Sequence, residues 1–323
     1  MTFSPTYSVI TFATNKLSYV KLALNCAQSI LIHNDIEIFI VSNLNFTVPE
    51  YLRKNVSVVN AKIEHAELGI GMKLYIDEYL QTKHSLFIDS DCLCYDSLEP
   101  IFKACEGMDV TVVGTTVNAE EWCGPANAAA VKQEFGITKL PRFNGGLYYL
   151  KKSEQTKSIY RLAQSLIPQY DVLGFDRLRN GWFNEEILIA IAMTLSDQLP
   201  IKDNGRFMTD LYTDHHPSLL NVLRGVRQLK NPKSGELYHR PWYPAGTYSP
   251  ILLHFGGQRL HSFPYITQYA LLKLKSLNIG NTVSSLTSKL FLQLPYRLYM
   301  KLKKPAIYFN DKLAHKKRLA ERR

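Results

Sequence analysis

The stretch from His84 to Asp96 constrains this chain more than any other. Leu86, Phe87 and Ile88 form a short apolar run that reads as a buried strand. The run ends abruptly in Asp89-Ser90-Asp91. Side chains two apart on a strand point the same way, so both carboxylates can face one point in space. Two anions held that close perturb each other unless a cation lies between them. Hard oxygen ligands suit Mg²⁺ or Mn²⁺ better than Zn²⁺ or copper. The carboxyl end of a strand is also where open α/β sheets bind ligands. The stretch therefore predicts a metal site at a strand end.

A chain of 323 residues can bury a large core, as one big α/β domain or one domain with an appendage. Its 46% hydrophobic and 20% charged residues are those of a globular protein and exclude a disordered one. The opening Met1-Thr2-Phe3-Ser4-Pro5 has neither a basic nor a long apolar region, so no secretory signal is expected. No apolar run approaches the length of a membrane span. The five cysteines, an odd count without paired CxxC spacing, are expected as free thiols in a reducing cytoplasm. Cys92 and Cys94 flank the acidic pair, but sulfur ligands would imply a softer metal.

Strands and helices alternate from the N-terminus. Residues 7–14 read as a first buried strand, and Asn15 is placed to cap the helix that follows. Leu17, Val20, Leu24, Ala27 and Leu31 recur at helical spacing. Residues 36–41 and 56–59 read as further strands, an order that predicts an α/β chain on a mostly parallel sheet. Gly69-Ile70-Gly71 opens a predicted helix to about Gln81. Lys73 falls in its first turn, where a cation opposes the helix dipole; a bound anion would account for it, and a solvated lysine is the plain alternative. Residues 110–113 read as a strand and 117–142 as irregular, with Gly124-Pro125 and Pro141 among them. Phe143-Asn144-Gly145-Gly146 then runs into a strand, and adjacent glycines there suggest close backbone approach. Helices are predicted over 155–167, from Asn184 to Met193, and over 264–277. Glu185 and Glu186 open the second of these, where carboxylates suit the dipole. Residues 203–250 are loop-rich; His215 and His216 within them are adjacent on a loop, a weak signal for metal. Residues 251–254 form a short strand ending in His254 and Gly256-Gly257.

Taken in order, four of these stretches resemble one group of proteins. Ile88-Asp89-Ser90-Asp91 looks like the Asp-X-Asp motif of GT-A-fold glycosyltransferases, which use nucleotide sugars. Lys73 is similar to the basic residue that many of them place on the preceding helix. Phe143-Asn144-Gly145-Gly146 resembles their Phe-Asn-(small)-Gly segment, which lines the sugar pocket. His254-Phe255-Gly256-Gly257 resembles the late His-X-X-Gly segment, whose His is a third metal ligand. Order and spacing best fit the family that includes glycogenin and bacterial lipopolysaccharide galactosyltransferases, over about residues 7–262. The chain departs from that family at Asn184-Glu185-Glu186, where Asp-Gln-Asp is usual, and at Gln258-Arg259-Leu260, where Lys-Pro-Trp is usual. It reads as a divergent relative, and neither donor sugar nor stereochemistry carries over.

The resemblance implies a Rossmann-like GT-A fold, α/β with a mostly parallel central sheet flanked by helices. It implies transfer of a hexose from a nucleoside-diphosphate donor, a UDP-sugar, to a saccharide or glycolipid. The departing diphosphate develops negative charge, which Mn²⁺ or Mg²⁺ would stabilise as a Lewis acid. On this reading Asp89, Asp91 and His254 hold the metal, while Lys73 and Arg259 neutralise the remaining phosphate charge. Thr11, Ala13 and Thr14 contact the base, Asn144 and Gly145 border the sugar, and Ser90 and Gly257 complete the donor site. Asp89 also reaches toward the ribose. Glu185 or Glu186 is the catalytic candidate: a base if the reaction inverts, a stabiliser of an oxocarbenium-like centre if it retains. Trp122, Trp182 and Trp242 are candidates either to stack on an acceptor sugar or to pack the core.

Residues 1–285 are read as the glycosyltransferase domain and 286–323 as a basic amphipathic helical tail. From Arg297 onward ten basic residues face two acidic ones, which accounts for +8 of the net +10. Tyr296, Leu298, Tyr299, Leu302, Ile307, Tyr308, Phe309 and Leu313 interleave with them, and Pro295 and Pro305 are expected to break the segment into short pieces. Such a tail can lie on an anionic bilayer or pack on the body. The bilayer reading predicts a cytoplasmic protein peripheral to the inner face of the membrane, with a role in lipopolysaccharide biosynthesis. No nucleic-acid partner is expected, since no reading module accompanies the charge. The rival readings are a non-catalytic nucleotide-sugar-binding scaffold and a haloacid-dehalogenase-type phosphatase. The latter wants Thr or Val where Leu93 stands, and a late acidic pair.

Overall fold

The first strands are apolar runs buried on both faces, as parallel strands between helices must be. The structure, a computed structural model, describes residues 6–178, 181–202, 205–211, 219–299, 301–303, 309, 310 and 312. His215, His216 and most of the tail beyond residue 303, including Pro305, lie outside the described residues.

β1 (Tyr7–Phe12) leads into α1 (Leu17–His33), which buries Val20, Ala23, Cys26, Ala27 and Ile30. β2 (Glu37–Ser42), β3 (Val56–Asn60) and the single turn α2 (Ile63–Ala66) follow. Next come β4 (His84–Ile88), β5 (Cys92–Cys94), α3 (Glu99–Ala104) and β6 (Val110–Asn118). α4 (Ala119–Phe135), β7 (Lys139–Lys151), α5 (Glu154–Ser165), α6 (Glu185–Leu195) and β8 (Ile201–Lys202) complete this part of the chain. Two compact units result, one of residues 1–92 and 97–203, the other of residues 93–96 and 204–323.

In the first unit seven strands form one sheet in the order β3-β2-β1-β4-β7-β6-β8. Only β7 runs antiparallel to its neighbours, so the expected mostly parallel α/β sheet is present. α6 is buried from Ile187 through Met193, as a helix that is apolar all round must be. Pairing of β4 with β7 sets Ile88 opposite Leu147, and one step on Asp89 donates its N–H to the Gly146 carbonyl at 3.0 Å. The sheet itself thus brings the acidic motif beside the glycine-rich one.

Four local expectations are corrected. Asn15 does not cap α1: Lys16 occupies that position without a side-chain cap. Asn15 instead has φ 67° and donates its amide to the Ala66 carbonyl at 2.7 Å. The segment Gly69–Tyr79 is 3₁₀ with a break at Tyr75 rather than α-helix. Gly69 there has φ 61°, and a Cβ on it would lie 2.5 Å from the Trp182 ring. Residues 117–142 are not irregular: α4 fills most of them, and Gly124 (φ 80°) with Pro125 breaks that helix without abolishing it. Pro295 does not end the tail's helix, which runs on over 294–299 directly after a π turn at Lys289–Gln293. The π turn just before Pro295 already departs from the regular i→i−4 ladder, and a residue without an N–H is tolerated there.

The second unit holds β9 (Met208–Asp210), β10 (Leu219–Asn221), β11 (Val226–Asn231), β12 (Gly246–Tyr248) and β13 (Leu252–His254). β10, β11 and β12 form an antiparallel sheet, and β13 lies between β5 and β9 in another. α7 (Phe263–Ser276) and α8 (Asn281–Ser288) follow. Buried Gln268 of α7 accepts the Val222 N–H at 2.8 Å and donates to the Leu220 carbonyl. Tyr296 stacks on Phe263 at 4.1 Å, which ties the start of the tail to this unit. Leu290, Phe291, Leu298, Tyr299 and Leu302 are exposed. No helix among the described residues is long and apolar enough to cross a membrane.

Candidate active site

Lys73 is the centre of the first unit's polar cluster. The 3₁₀ segment carries its side chain over the end of β4, where Nζ donates to Asp89 Oδ2 and to the Gly145 carbonyl, each at 2.8 Å. Glu185 Oε1 lies 3.4 Å away. The Lys73 side chain is 12% exposed. Burial alone would favour loss of its proton, but Asp89 and Glu185 outweigh that and hold its pKa above the ordinary lysine value. The plain alternative of a solvated surface lysine does not hold.

The two glutamates at the start of α6 differ. Asn184 caps the helix through its side chain, which accepts the Glu186 N–H at 3.0 Å. Glu185 is 2% exposed, and its Oε2 has no hydrogen-bond partner among the described residues. Burial raises its pKa, with Lys73 working against that rise. Glu186 is half-buried, and its Oε1 accepts the Gly145 N–H at 2.6 Å. Burial, followed by repulsion from Glu185, pushes its carboxyl up to about 7. Glu185 is therefore a counter-ion to Lys73, while Glu186 is the carboxylate that can exchange a proton near neutral pH.

Gly145 is fixed by close approach. A Cβ there would lie 2.9 Å from Glu186 Oε1 and from the Tyr148 hydroxyl, and 3.2 Å from Glu185 Oε1. Gly145→Ala is expected to destabilise the protein by about 1–3 kcal/mol through overpacking, as read by urea denaturation. Asn144 turns its side chain back to accept the Gly146 N–H at 2.9 Å. Ser90 and Asp91 are half-buried just past β4. At the end of β1, Thr11 is fully buried, and its Oγ1 has no partner among the described residues. Ala13 is buried and donates its N–H to the Val41 carbonyl, and Thr14 is half-buried. Trp122 packs edge-on against Phe143, a core role.

In the second unit His254 ends β13, with exposed Gly257 (φ 50°) and half-buried Arg259 following. His254 Nδ1 is 2.7 Å from Asp210 Oδ1, and Tyr243 donates its hydroxyl to Asp210 Oδ2 at 3.0 Å. Sequence reading missed Asp210, Tyr243 and Tyr148. Asp210 ends a strand of three residues, too short to leave a periodic signal within a stretch read as loop.

The chain is similar in fold to solved structures of the galactosyltransferase LgtC. One is an active-site variant (TM-score 0.48, 15% identity, covering 77% of this chain and 87% of that one). Another is a complex with donor and acceptor sugar analogues (TM-score 0.47, 14% identity, the same coverage). It is also similar to mouse xyloside xylosyltransferase 1 in its apo form (TM-score 0.44, 12% identity, 77% of this chain and 97% of that one). No family model matches the chain, and no curated protein matches it.

Proposed function

We propose that the chain is a metal-dependent glycosyltransferase that moves a hexose from a nucleoside-diphosphate donor, a UDP-sugar, to a saccharide or glycolipid acceptor. The observation that carries this reading is the buried Lys73, gathered with Asp89, Gly145 and the glutamates of α6 at the carboxyl end of a central strand. Such a cluster holds positive charge and exchangeable protons where open α/β sheets bind ligands.

Asp89 and Asp91 are proposed to hold Mn²⁺ or Mg²⁺, with His254 added on the order of the motifs. The donor chemistry fits: two hard carboxylates, and an imidazole whose Nδ1 is already committed to Asp210. The ion, when bound, would stabilise the charge that develops on the departing diphosphate. Lys73 and Arg259 would neutralise phosphate oxygens. Thr14, Ser90 and Gly257 would border the rest of the donor, with Thr11 and Ala13 buried in the strand end that carries Thr14, and Asn144 and Gly145 would border the sugar. Glu186 would serve the acceptor hydroxyl or a positive anomeric centre, and Glu185 would hold Lys73 in place.

The experiment is slow hydrolysis of UDP-sugars without acceptor. We expect turnover that needs Mn²⁺ and is lost in Asp91→Ala. Absence of any nucleotide binding in the presence of metal would favour a non-catalytic scaffold instead.

The boundary near residue 285 is also proposed as functional, with residues 286–323 a membrane-facing tail. The exposed apolar side chains alternate there with Lys289, Arg297, Lys301 and Lys303. Each basic residue near an anionic surface contributes about 1 kcal/mol. The protein would then be peripheral to the inner membrane face, with a lipid-linked saccharide or lipopolysaccharide core as acceptor. Sedimentation with anionic vesicles is expected to carry the protein down at low salt and release it at high salt. Salt-independent binding, or none, would count against the tail's role.

A further inference from the structure

His254 belongs to a chain of polar contacts within the second unit. The parallel pairing of β13 with β9 sets it opposite Asp210, with Nδ1 and Oδ1 2.7 Å apart. A carboxylate oxygen only accepts, so Nδ1 carries the hydrogen, and in the neutral ring Nε2 keeps its lone pair. Asp210 is held in turn. Tyr243 donates to Oδ2 at 3.0 Å, and the Asp210 N–H reaches the same hydroxyl at 3.4 Å. The loop that bears Tyr243 is pinned by Asn231, which is 1% exposed. The Asn231 amide donates to the carbonyls of Arg240, Tyr243 and Pro244, and its Oδ1 accepts the Arg240 N–H. The His254 and Asp210 side chains are 15% and 20% exposed. A solvated histidine needs no such support. A ring that must present one nitrogen in one direction does, and metal-bound imidazoles are oriented in this way by carboxylates.

We propose that Asp210, backed by Tyr243 and Asn231, is a positioning residue that fixes His254 as its Nδ1–H tautomer, so that Nε2 donates to a divalent cation. This inference rests on the metal reading given above. It adds residues that no motif in the sequence points to.

Two readouts on the full-length protein test it. Long-range ¹H–¹⁵N spectra of the metal-free protein report the tautomer, with His254→Ala assigning the signal. The expected result is Nδ1–H in the wild type and mixed tautomers in Asp210→Asn. An Nε2–H ring in the wild type overturns the inference. Mn²⁺ alone is then titrated and bound ion is read by electron paramagnetic resonance. Asp210→Asn is expected to bind about 10–100-fold more weakly while melting near the wild-type temperature, with Tyr243→Phe in between. Should Asp210→Asn fail to fold, Tyr243→Phe carries the comparison. Unchanged Mn²⁺ affinity in both variants, with loss in His254→Ala, overturns the positioning role and leaves the metal reading standing. Equal binding by wild type and His254→Ala removes His254 from the metal site, and this inference falls with it.

Discussion

Lys73→Met is expected to destabilise the protein by about 3–5 kcal/mol, because it breaks a buried ion cluster by removing the one close cation found among the described residues. The wild-type ammonium touches Asp89, the Gly145 carbonyl and Glu185 within 3.4 Å. Without it, Glu185 is a carboxylate 2% exposed with no close cation among the described residues, and Glu186 stands beside it. The pH dependence has a definite sign. The folded-state pKa of Lys73 is raised, so its contribution is fully present below the unfolded lysine value and is lost only at strongly alkaline pH. The folded-state pKa values of Glu185 and Glu186 are raised too, so each costs stability as pH rises and it ionises. Removing Lys73 enlarges that cost, and the variant should lose more at pH 8 than at pH 5. Glu185→Gln in the same chain should restore part of the loss, because it removes the stranded charge. Urea denaturation of the two single variants and the double variant measures the coupling. Strict additivity, or a loss below about 1 kcal/mol, would mean that Lys73 is solvated and tied to no cluster.

Glu186→Gln is expected to lower turnover by about 10²–10⁴-fold, the usual worth of a positioned acid–base group. Its carboxyl is pushed up to about 7, so the ionised form appears as pH rises through neutrality. Turnover that depends on it should climb over that range in the wild type and stay low and flat in the variant. Stability runs the other way: at pH 8 the variant should be at least as stable as the wild type, because it is spared the cost of ionising a buried acid. Glu185→Gln should show the reverse pattern, with a small effect on turnover and a larger one on the cation cluster. Steady-state rates from pH 5.5 to 9 and denaturation at both ends of that range separate the two. If Glu185→Gln abolishes turnover and Glu186→Gln does not, the roles assigned here are exchanged.

Much of this cluster is legible in the sequence, for specific reasons. Leu86 to Ile88 are apolar and β-prone, so the strand that ends at Asp89 announces itself. α6 is apolar from Ile187 to Met193 behind an Asn cap and two acids, which marks its start almost to the residue. What joins these elements is not local. The 2.8 Å contact of Lys73 with Asp89 depends on a 3₁₀ segment that the pattern reads as α-helix. Neighbouring residues do not reveal their different burial either: Glu185 and Glu186 look alike in sequence, and only the packing of Tyr148 and Gly145 around them tells them apart. α4 was hidden by Gly124-Pro125, although the alanine-rich run that follows and Gly136 (φ 71°) at its end form a helix signature of their own. The second unit is hardest to read because its strands are mostly three residues long. Period-two alternation needs more residues than that, so the pairing of Asp210 with His254 leaves no trace in the pattern.

Asp89 and Asp91 are proposed to hold a divalent cation beneath the diphosphate of a sugar nucleotide. The most direct test is the melting temperature of wild type and Asp91→Asn with UDP, each with and without Mn²⁺. Ligand at a hundred times its Kd adds about 2.7 kcal/mol of apparent stability. For a unit of this size that is an upward shift of roughly 5–10 °C. That shift is expected for the wild type only when UDP and Mn²⁺ are both present, with little or none for Asp91→Asn. An equal shift without metal, or the same shift in the variant, would contradict it.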